Sequence, residues 1–453
     1  MATIEVIMRD GSGEAHVELG RWEYSLEVGD RRFEQIEQAV EEVKCQAARD
    51  VAVALLAQAQ HRYTVEHAEL TRNGTTPVVI KSQHGELAFR VQRYVDEAGE
   101  GTDYFERSGQ FQAGYMSAGL GERVAYYSNR MSYAEVAGLV ERWTGQAVLS
   151  DQSVRQVVID KAVEVSADWA REVQETLQAA EGCLPEINLK VDVYASDTAE
   201  VVILADDIQV KGQKEHRERR ESTVNQPDVA PTERVVIELA MLQCCTGRFE
   251  HLSSGIDAQG NEVVSLTDVL RSRLIREYGD APMPLNVVAI TDGASKLRNC
   301  LHTVCGPYVT IILDWYHLRH KVEDLMSMIA RTKDEKTTHV DYLLNQLWYG
   351  HAEAALAYLT TTVQARNEVK RQELVTYLKK HQSEIIDYDR RQQVGKRIGS
   401  GQMEKGCDQV IGHRQKKKGM SWRKPGSCSL GILKVMELNH HWQKLWFPTA
   451  LIA

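Results

Sequence analysis

No run of apolar residues in this 453-residue chain approaches the roughly 20 that a membrane-spanning helix needs. The first residues show no basic segment followed by an apolar stretch. Both absences make a cytoplasmic protein the expectation. The eight cysteines include the neighbours Cys244 and Cys245 but form no CxxC, so neither a zinc ribbon nor a secreted disulfide framework is indicated. Reduced, mostly buried thiols are expected. Positive charge is also in deficit: 54 Lys and Arg stand against 64 Asp and Glu, a net charge of -10. That balance excludes a uniformly basic nucleic-acid coat and confines any DNA contact to local patches. No internal repeat or low-complexity tract is present. What remains is 43% hydrophobic and 26% charged, the balance of a globular protein. The length points to about three modules, since single cores rarely grow past roughly 250–300 residues.

Residues 3–8 and 22–28 are β-prone, whereas 32–63 is long, Ala-rich and free of proline, so the chain opens as an α+β region. Residues 78–80 and the alternating Leu87, Phe89 and Val91 flank His84-Gly85, a hairpin signal. The texture then becomes helical. Ser132 with Glu135 three residues on is a capping box, and Gly145 offers a left-handed cap at the other end. Ser150 caps a second helix carrying Val154, Val157 and Val158 on one face. Two short helices across a Gly-containing connection suit a helix-turn-helix with Gln152, Arg155 and Gln156 aimed at base edges, and equally suit an ordinary helical hairpin.

After Pro185 the period changes to strands, at 188–194, 200–205, 234–244 and 248–252. A helix at 265–278, a strand at 285–290, a helix at 296–300 and a strand at 309–313 follow, which predicts a mixed sheet with helical cover. Residues 211–232, charged and carrying Pro227 and Pro231, read as an exposed loop. Residues 317–381 lack proline and place Leu343, Leu344, Leu347, Leu356 and Leu359 at helical spacing, which predicts a helical insertion. The fold class is therefore α/β. Its regions are 1–112 (α+β), 113–184 (helical), 185–320 (first part of a core), 321–394 (all-helical insertion) and 395–453 (second part of the core).

Asp206 follows the apolar run from Val201 to Ala205, and Asp292 follows Val287 to Thr291. Each acid is expected where a buried strand reaches the surface, which is where ligands gather in an open sheet. Acids from separate strands can converge on hard cations such as Mg²⁺, which take oxygen ligands and keep room for water and phosphate. Two such ions about 3.5–4 Å apart neutralise both the attacking and the leaving oxygen of a phosphodiester displacement. Each acid also has an innocent reading, as a helix cap or, at Asp292-Gly293, as a turn.

The candidate third acid is Glu404, behind Gly399-Ser400-Gly401 at the start of an expected helix. Arg414, Lys416, Lys417, Lys418, Arg423 and Lys424 follow within twenty residues, interleaved with His413 and Trp422. A basic cluster is most often a solvated face, but one beside an acid able to hold Mg²⁺ is where a DNA phosphate would be drawn. Between the second and third acids, Asp314 and His317 form a DxxH at the end of another apolar strand. Two ligands without a matching pair do not make a zinc site, so a structural or DNA-positioning role is expected.

In this order, residues 206–211, 290–294 and 314–317 and the block from Gly399 to Trp422 resemble the DDE transposases of bacterial insertion sequences. The last block carries Ser400-Gly401, Glu404, Gly412, Arg414, Lys416 and Gly419-Met420-Ser421-Trp422. The resemblance is strongest to the Kra-type group, related to the Mutator-like transposases, and covers roughly residues 126–446.

It implies an RNase H-like core interrupted by an all-helical insertion, with Asp206, Asp292 and Glu404 holding two Mg²⁺ (or Mn²⁺) ions. Asp314 and His317 would be accessory, and Arg414, Lys416, Lys417, Lys418 and Trp422 would hold the DNA backbone. The implied activity is cleavage at the element's ends and attack of the freed 3′-hydroxyl on target DNA. The partners would be double-stranded DNA of terminal inverted repeats and target, bound at the nucleoid by a homo-oligomer, with no membrane. The family commonly has Gly after its first Asp, where this chain has Asp207, so Asp207 stays open as an alternative first ligand. Related proteins carry a cysteine-rich zinc element near 93–107; this chain has no cysteine there, so no zinc is predicted. Two other readings remain: an RNase H-like nuclease or resolvase without strand transfer, and a catalytically dead, transposase-derived DNA-binding protein.

Overall fold

The computed structural model describes residues 2–9, 18–26, 32–96, 99–109, 111, 114–181, 183–213 and 234–448. The chain divides into two compact units, Met1–Val158 with Gln443–Ala453, and Ile159–Trp442. The expected loop at 211–232 falls, from residue 214 on, outside the described residues.

In the first unit, β1 (Ala2–Arg9) and β2 (Glu18–Leu26) pair antiparallel, and the Tyr24 hydroxyl donates to Asp50 at 2.8 Å on the long helix α1 (Phe33–Glu66). Strands β3 (Thr71–Ser82), β4 (Gly85–Val95) and β5 (Gly101–Asp103) form a separate antiparallel sheet; the turn expected at His84-Gly85 lies one residue earlier, at Gln83-His84, and Gly85 opens β4. Leu87, Phe89 and Val91 point from β4 into a core shared with Tyr104 and Phe105 of the short helix α2 (Tyr104–Ser108). Helix α3 (Ala118–Ser128) precedes α4 (Tyr133–Thr144), which opens on the Ser132/Glu135 capping box and ends on left-handed Gly145. Ser150 accepts the Ser153 N–H at 3.1 Å and starts α5 (Asp151–Ala179). Val136, Val140 and Val154 bury against Leu120 and Val124. Helix α5 is not short as expected but 29 residues long. The second unit begins within this helix, at Ile159, and Val173 belongs to the core under that unit's sheet.

That sheet begins with three consecutive antiparallel strands, β6 (Val201–Lys211), β7 (Arg234–Gln243) and β8 (Phe249–Ser253). A small hairpin, β9 (Gly255–Ile256) and β10 (Glu262–Val264), leads to α6 (Leu266–Tyr278). Strand β11 (Val287–Thr291) then joins β6 in parallel. After α7 (Ser295–Cys305), β12 (Thr310–Leu313) joins β11 in parallel, giving the order β12-β11-β6-β7-β8. Val201 through Ala205 and all of β11 are buried, as strands covered on both faces must be. Val201, Ile203 and Ala205 pack with Leu266, Leu270 and Leu274 of α6 and Leu297 and Leu301 of α7.

The chain is helical from Trp315 to Gln393: α8 (Trp315–Ile329), α9 (Lys333–Trp348), α10 (Ala352–Thr361), α11 (Glu368–Lys380) and α12 (Tyr388–Gln393). Leu343, Leu347, Leu356 and Leu359 are buried here, as their spacing predicts. Helix α13 (Gly401–Cys407) runs through a π-helical turn, Asp408–Gly412, into α14 (His413–Gln415); α15 (Lys424–Leu438) and α16 (Trp442–Trp446) follow. Arg391 of α12 is fully buried, and its guanidinium grips both oxygens of Glu200 just ahead of β6, at 2.9 and 2.7 Å. The helical segment is thereby bolted to the sheet.

Two strand expectations are corrected. Residues 188–194 form no strand: a single bridge joins Ile187 to Leu285, and Leu189 is 72% exposed. Strand β11 already has β6 on one side and β12 on the other, so no open edge remains there to pair with. Strand β6 does not end at Ala205 but runs on to Lys211, opposite Arg234, because Ile208 and Val210 continue the buried alternation.

Candidate active site

Asp206 is therefore the sixth of eleven residues in β6 rather than at its end. The register of β6 with β11 pairs Val201 with Val287 and Leu204 with Ile290. Two residues further, the same count sets Asp206 beside Asp292, which directly follows β11. Parallel neighbours in register share a face, so two carboxylates meet where one strand has ended. Burial, and then the negative charge of Asp292, push the Asp206 carboxyl up to about 6. Asp207 alternates to the other face, opposite Glu238. The charge of Asp292 raises both Asp206 and Asp207, whereas that of His317 acts on Asp206 of the two. Asp292 also makes the turn expected of it, its Oδ1 accepting the Ala294 N–H at 2.8 Å across Gly293, whose φ is +89°.

Asp314, directly after β12, is buried and caps α8 by accepting the N–H groups of Tyr316 at 2.6 Å and His317 at 3.0 Å. Its other oxygen accepts both the N–H and the hydroxyl of Ser400, the residue that starts α13. Burial alone would raise its pKa, but the hydrogen bonds from His317 and Ser400 outweigh that and hold the carboxyl down at about 2.

His317 stands between this clamp and Glu404. Its Nδ1 lies 3.6 Å from Asp314 Oδ2, an ion-pair distance rather than a hydrogen bond, and its Nε2 lies 3.8 Å from Glu404 Oε1. The Asp314 carboxylate first, then Glu404 and Asp292, raise the imidazole to about 9 against the opposing effect of burial. One cationic ring thus couples electrostatically to Asp206, Asp292 and Glu404.

Helix α13 crosses the face of the sheet that bears Asp206. A Cβ on Gly406 would come within 3.1 Å of Met241 Sδ, and Met241 pairs with Leu204 in the same row. A larger residue there would require the Met241 side chain to give by a few tenths of an ångström. Glu404, the fourth residue of α13, keeps its side chain 56% exposed. Among the described residues, no three His, Cys, Asp or Glu side chains form a ready-made metal cluster. The donors at hand are carboxylate oxygens, a set that suits Mg²⁺ or Mn²⁺.

The basic segment separates into two parts. Lys416, Lys417 and Lys418 are exposed. Arg414 and Trp422, expected on the DNA backbone, are buried instead, with the guanidinium 4.8 Å from the centre of the indole ring. The indole N–H donates to the Gln415 carbonyl at 3.0 Å, and the Trp422 backbone bridges to β6 through the Lys211 carbonyl at 2.9 Å. These two side chains serve the packing of the segment.

Ser400 stands in a sequence motif, but its clamp joins residues 86 positions apart and has no local mark, and neither have His381, Arg298 and Glu384, which cluster beside the turn after Asp292. The Ser-Gly ahead of the helix was the one available sign. No family model and no curated protein matches the chain.

Proposed function

We propose that this chain is a DNA transposase of the DDE class, with Asp206, Asp292 and Glu404 as its metal-binding carboxylates. The observation that carries the reading is geometric: the register of β6 with β11 sets Asp206 beside Asp292, and His317, which stands 3.8 Å from Glu404 on α13, carries charge that acts on both aspartates. The sheet order supports an RNase H-like core, since a three-strand meander is extended by two parallel strands at the edge of its first strand. The helices between β12 and α13 fit the insertion that such transposases carry.

Divalent ions held by the three carboxylates would activate water and stabilise the leaving oxygen. The chain's own residues prepare for them. Asp206 and Asp292 concentrate negative charge that a cation relieves, and the Asp314–Ser400 clamp fixes the helix bearing Glu404. His317 balances the site's charge, and Lys416, Lys417 and Lys418 draw the phosphate backbone of double-stranded DNA. Oligomerisation on paired DNA ends and residence at the nucleoid belong to the same proposal.

The test is to incubate the full chain with Mg²⁺ or Mn²⁺, labelled duplexes ending in the inverted repeats that flank its gene, and a plasmid target. Metal-dependent nicking and joined donor–target products are expected, both lost in Asp206→Asn, Asp292→Asn and Glu404→Gln. Cleavage without joining would make the chain a nuclease or resolvase. Binding without cleavage would make it a transposase-derived DNA-binding protein.

A further inference from the structure

Behind Asp292 lies a buried group that the proposed chemistry does not use. His381 follows the last turn of α11 and is 1% exposed. Its Nδ1 lies 2.7 Å from Glu384 Oε2 and 2.9 Å from Arg298 Nη2, and Arg298 is itself paired with Glu384. The Tyr377 ring lies 4.8 Å away. These contacts hold the ring facing the turn after β11. A Cβ on Gly293 would stand 2.7 Å from His381 Cε1 and 2.9 Å from Nε2, inside any permitted contact. The imidazole edge therefore lies directly against the backbone of the residue next to Asp292, at a left-handed position that favours glycine. A second tie runs alongside, with Lys380 Nζ donating to Ser295 Oγ at 2.8 Å on the first residue of α7. Arg298 also belongs to α7, so the end of α11 meets both the turn, at Gly293, and the helix that follows it, at Ser295 and Arg298.

We propose that His381 is a positioning residue for Asp292: its ring is the wall that seats the Asp292-Gly293 turn, so the helical insertion sets where the second carboxylate points. The inference rests on the metal-site reading above. Without the ring, the turn has space to relax toward the insertion and the carboxylate loses its aim. Groups that orient a ligand from behind typically change metal affinity about 10–100-fold when removed.

The experiment titrates the full chain with Mn²⁺, reading free Mn²⁺ by electron paramagnetic resonance, for the parent, His381→Ala and His381→Phe. His381→Ala is expected to bind Mn²⁺ about 10–100-fold more weakly, with its DNA cleavage rate recovering at saturating Mn²⁺. His381→Phe, which keeps a flat ring, should bind within about threefold of the parent. Equal affinity of the parent and His381→Ala overturns the proposal, and so does an equal loss in both variants. Should His381→Ala fail to fold, Gly293→Ala attacks the same contact from the turn and should weaken Mn²⁺ likewise with His381 in place; unchanged binding there overturns the proposal. A parent chain that binds no Mn²⁺ sinks the carboxylate reading itself, a result distinct from the others.

Discussion

The Asp314 carboxylate accepts two hydrogen bonds from Ser400, 86 residues away, one from its backbone N–H and one from its hydroxyl. Through them the end of β12 fixes the start of the helix that carries Glu404. Removing a single donor to a buried carboxylate costs about 1–3 kcal/mol, so Ser400→Ala should lose that much stability in urea unfolding. Asp314→Ala orphans several donors at once and should cost about 3–5 kcal/mol. Asp314 is held at about 2, below its ordinary 3.8. Its contribution is therefore complete above pH 3.8 and is lost as pH falls through 2. The gap between the parent and Asp314→Ala should accordingly narrow in acid, and a gap that stays constant from pH 6 to pH 2 would refute the clamp.

Asp206 has the opposite sign. Its folded pKa of about 6 lies above the ordinary 3.8, so its ionisation opposes folding, fully above pH 6 and not at all below 3.8. Without divalent ions, Asp206→Asn should melt higher than the parent at pH 8, by the equivalent of about 1–3 kcal/mol. The two should coincide near pH 4. Adding Mn²⁺ should raise the midpoint of the parent and leave the variant behind. Thermal unfolding across pH in chelator and in metal reads both effects, and a parent that outlasts Asp206→Asn at pH 8 in chelator contradicts the assignment.

What the sequence made legible was local. Ser132, Glu135 and Gly145 bound α4 because capping is settled within a few residues. Asp292 and Asp314 were found because an apolar run ending in an acid is itself a strand followed by a turn. Asp206 reads as a strand end because Asp206-Asp207 interrupts the apolar run, and only pairing with β7 shows the strand continuing. Arg414 and Trp422 read as surface groups since nothing nearby in sequence announces that they stack inside the fold. His381 left no trace, as its role depends on a turn 88 positions earlier (381 less 293) lying against its ring.

The Arg391–Glu200 pair offers a separate test of how the helical segment is held. Glu200 also meets Lys396 at 2.8 Å, so Glu200→Gln strands the buried Arg391 and the partly buried Lys396. Breaking one side of such a pair costs about 3–5 kcal/mol, whereas replacing both sides with apolar groups is often neutral. Glu200→Gln and Arg391→Met should each destabilise by roughly that amount in denaturant titrations. The double variant Glu200→Leu/Arg391→Met should be less damaged than the sum of the single changes. Strict additivity would mean that the two residues act independently and that the bolt is elsewhere.

Lys416, Lys417 and Lys418 are exposed, while Arg414 and Trp422 beneath them are not, so substitutions at the two levels should fail differently. Removing one lysine that neutralises a phosphate lowers the slope of log affinity against log salt by about 1. The triple change of these lysines to alanine should lower the slope by about 2–3, weaken duplex binding at least about tenfold near 0.1 M salt, and leave the melting temperature unchanged. Trp422→Ala, which empties a packed site under the segment, should cost about 3–5 kcal/mol of stability. The Trp422→Ala protein that remains folded should keep the salt slope of the parent. Fluorescence anisotropy across a salt series, paired with thermal unfolding of the same samples, separates the two outcomes. A salt slope untouched by the triple change would remove the lysines from the DNA interface.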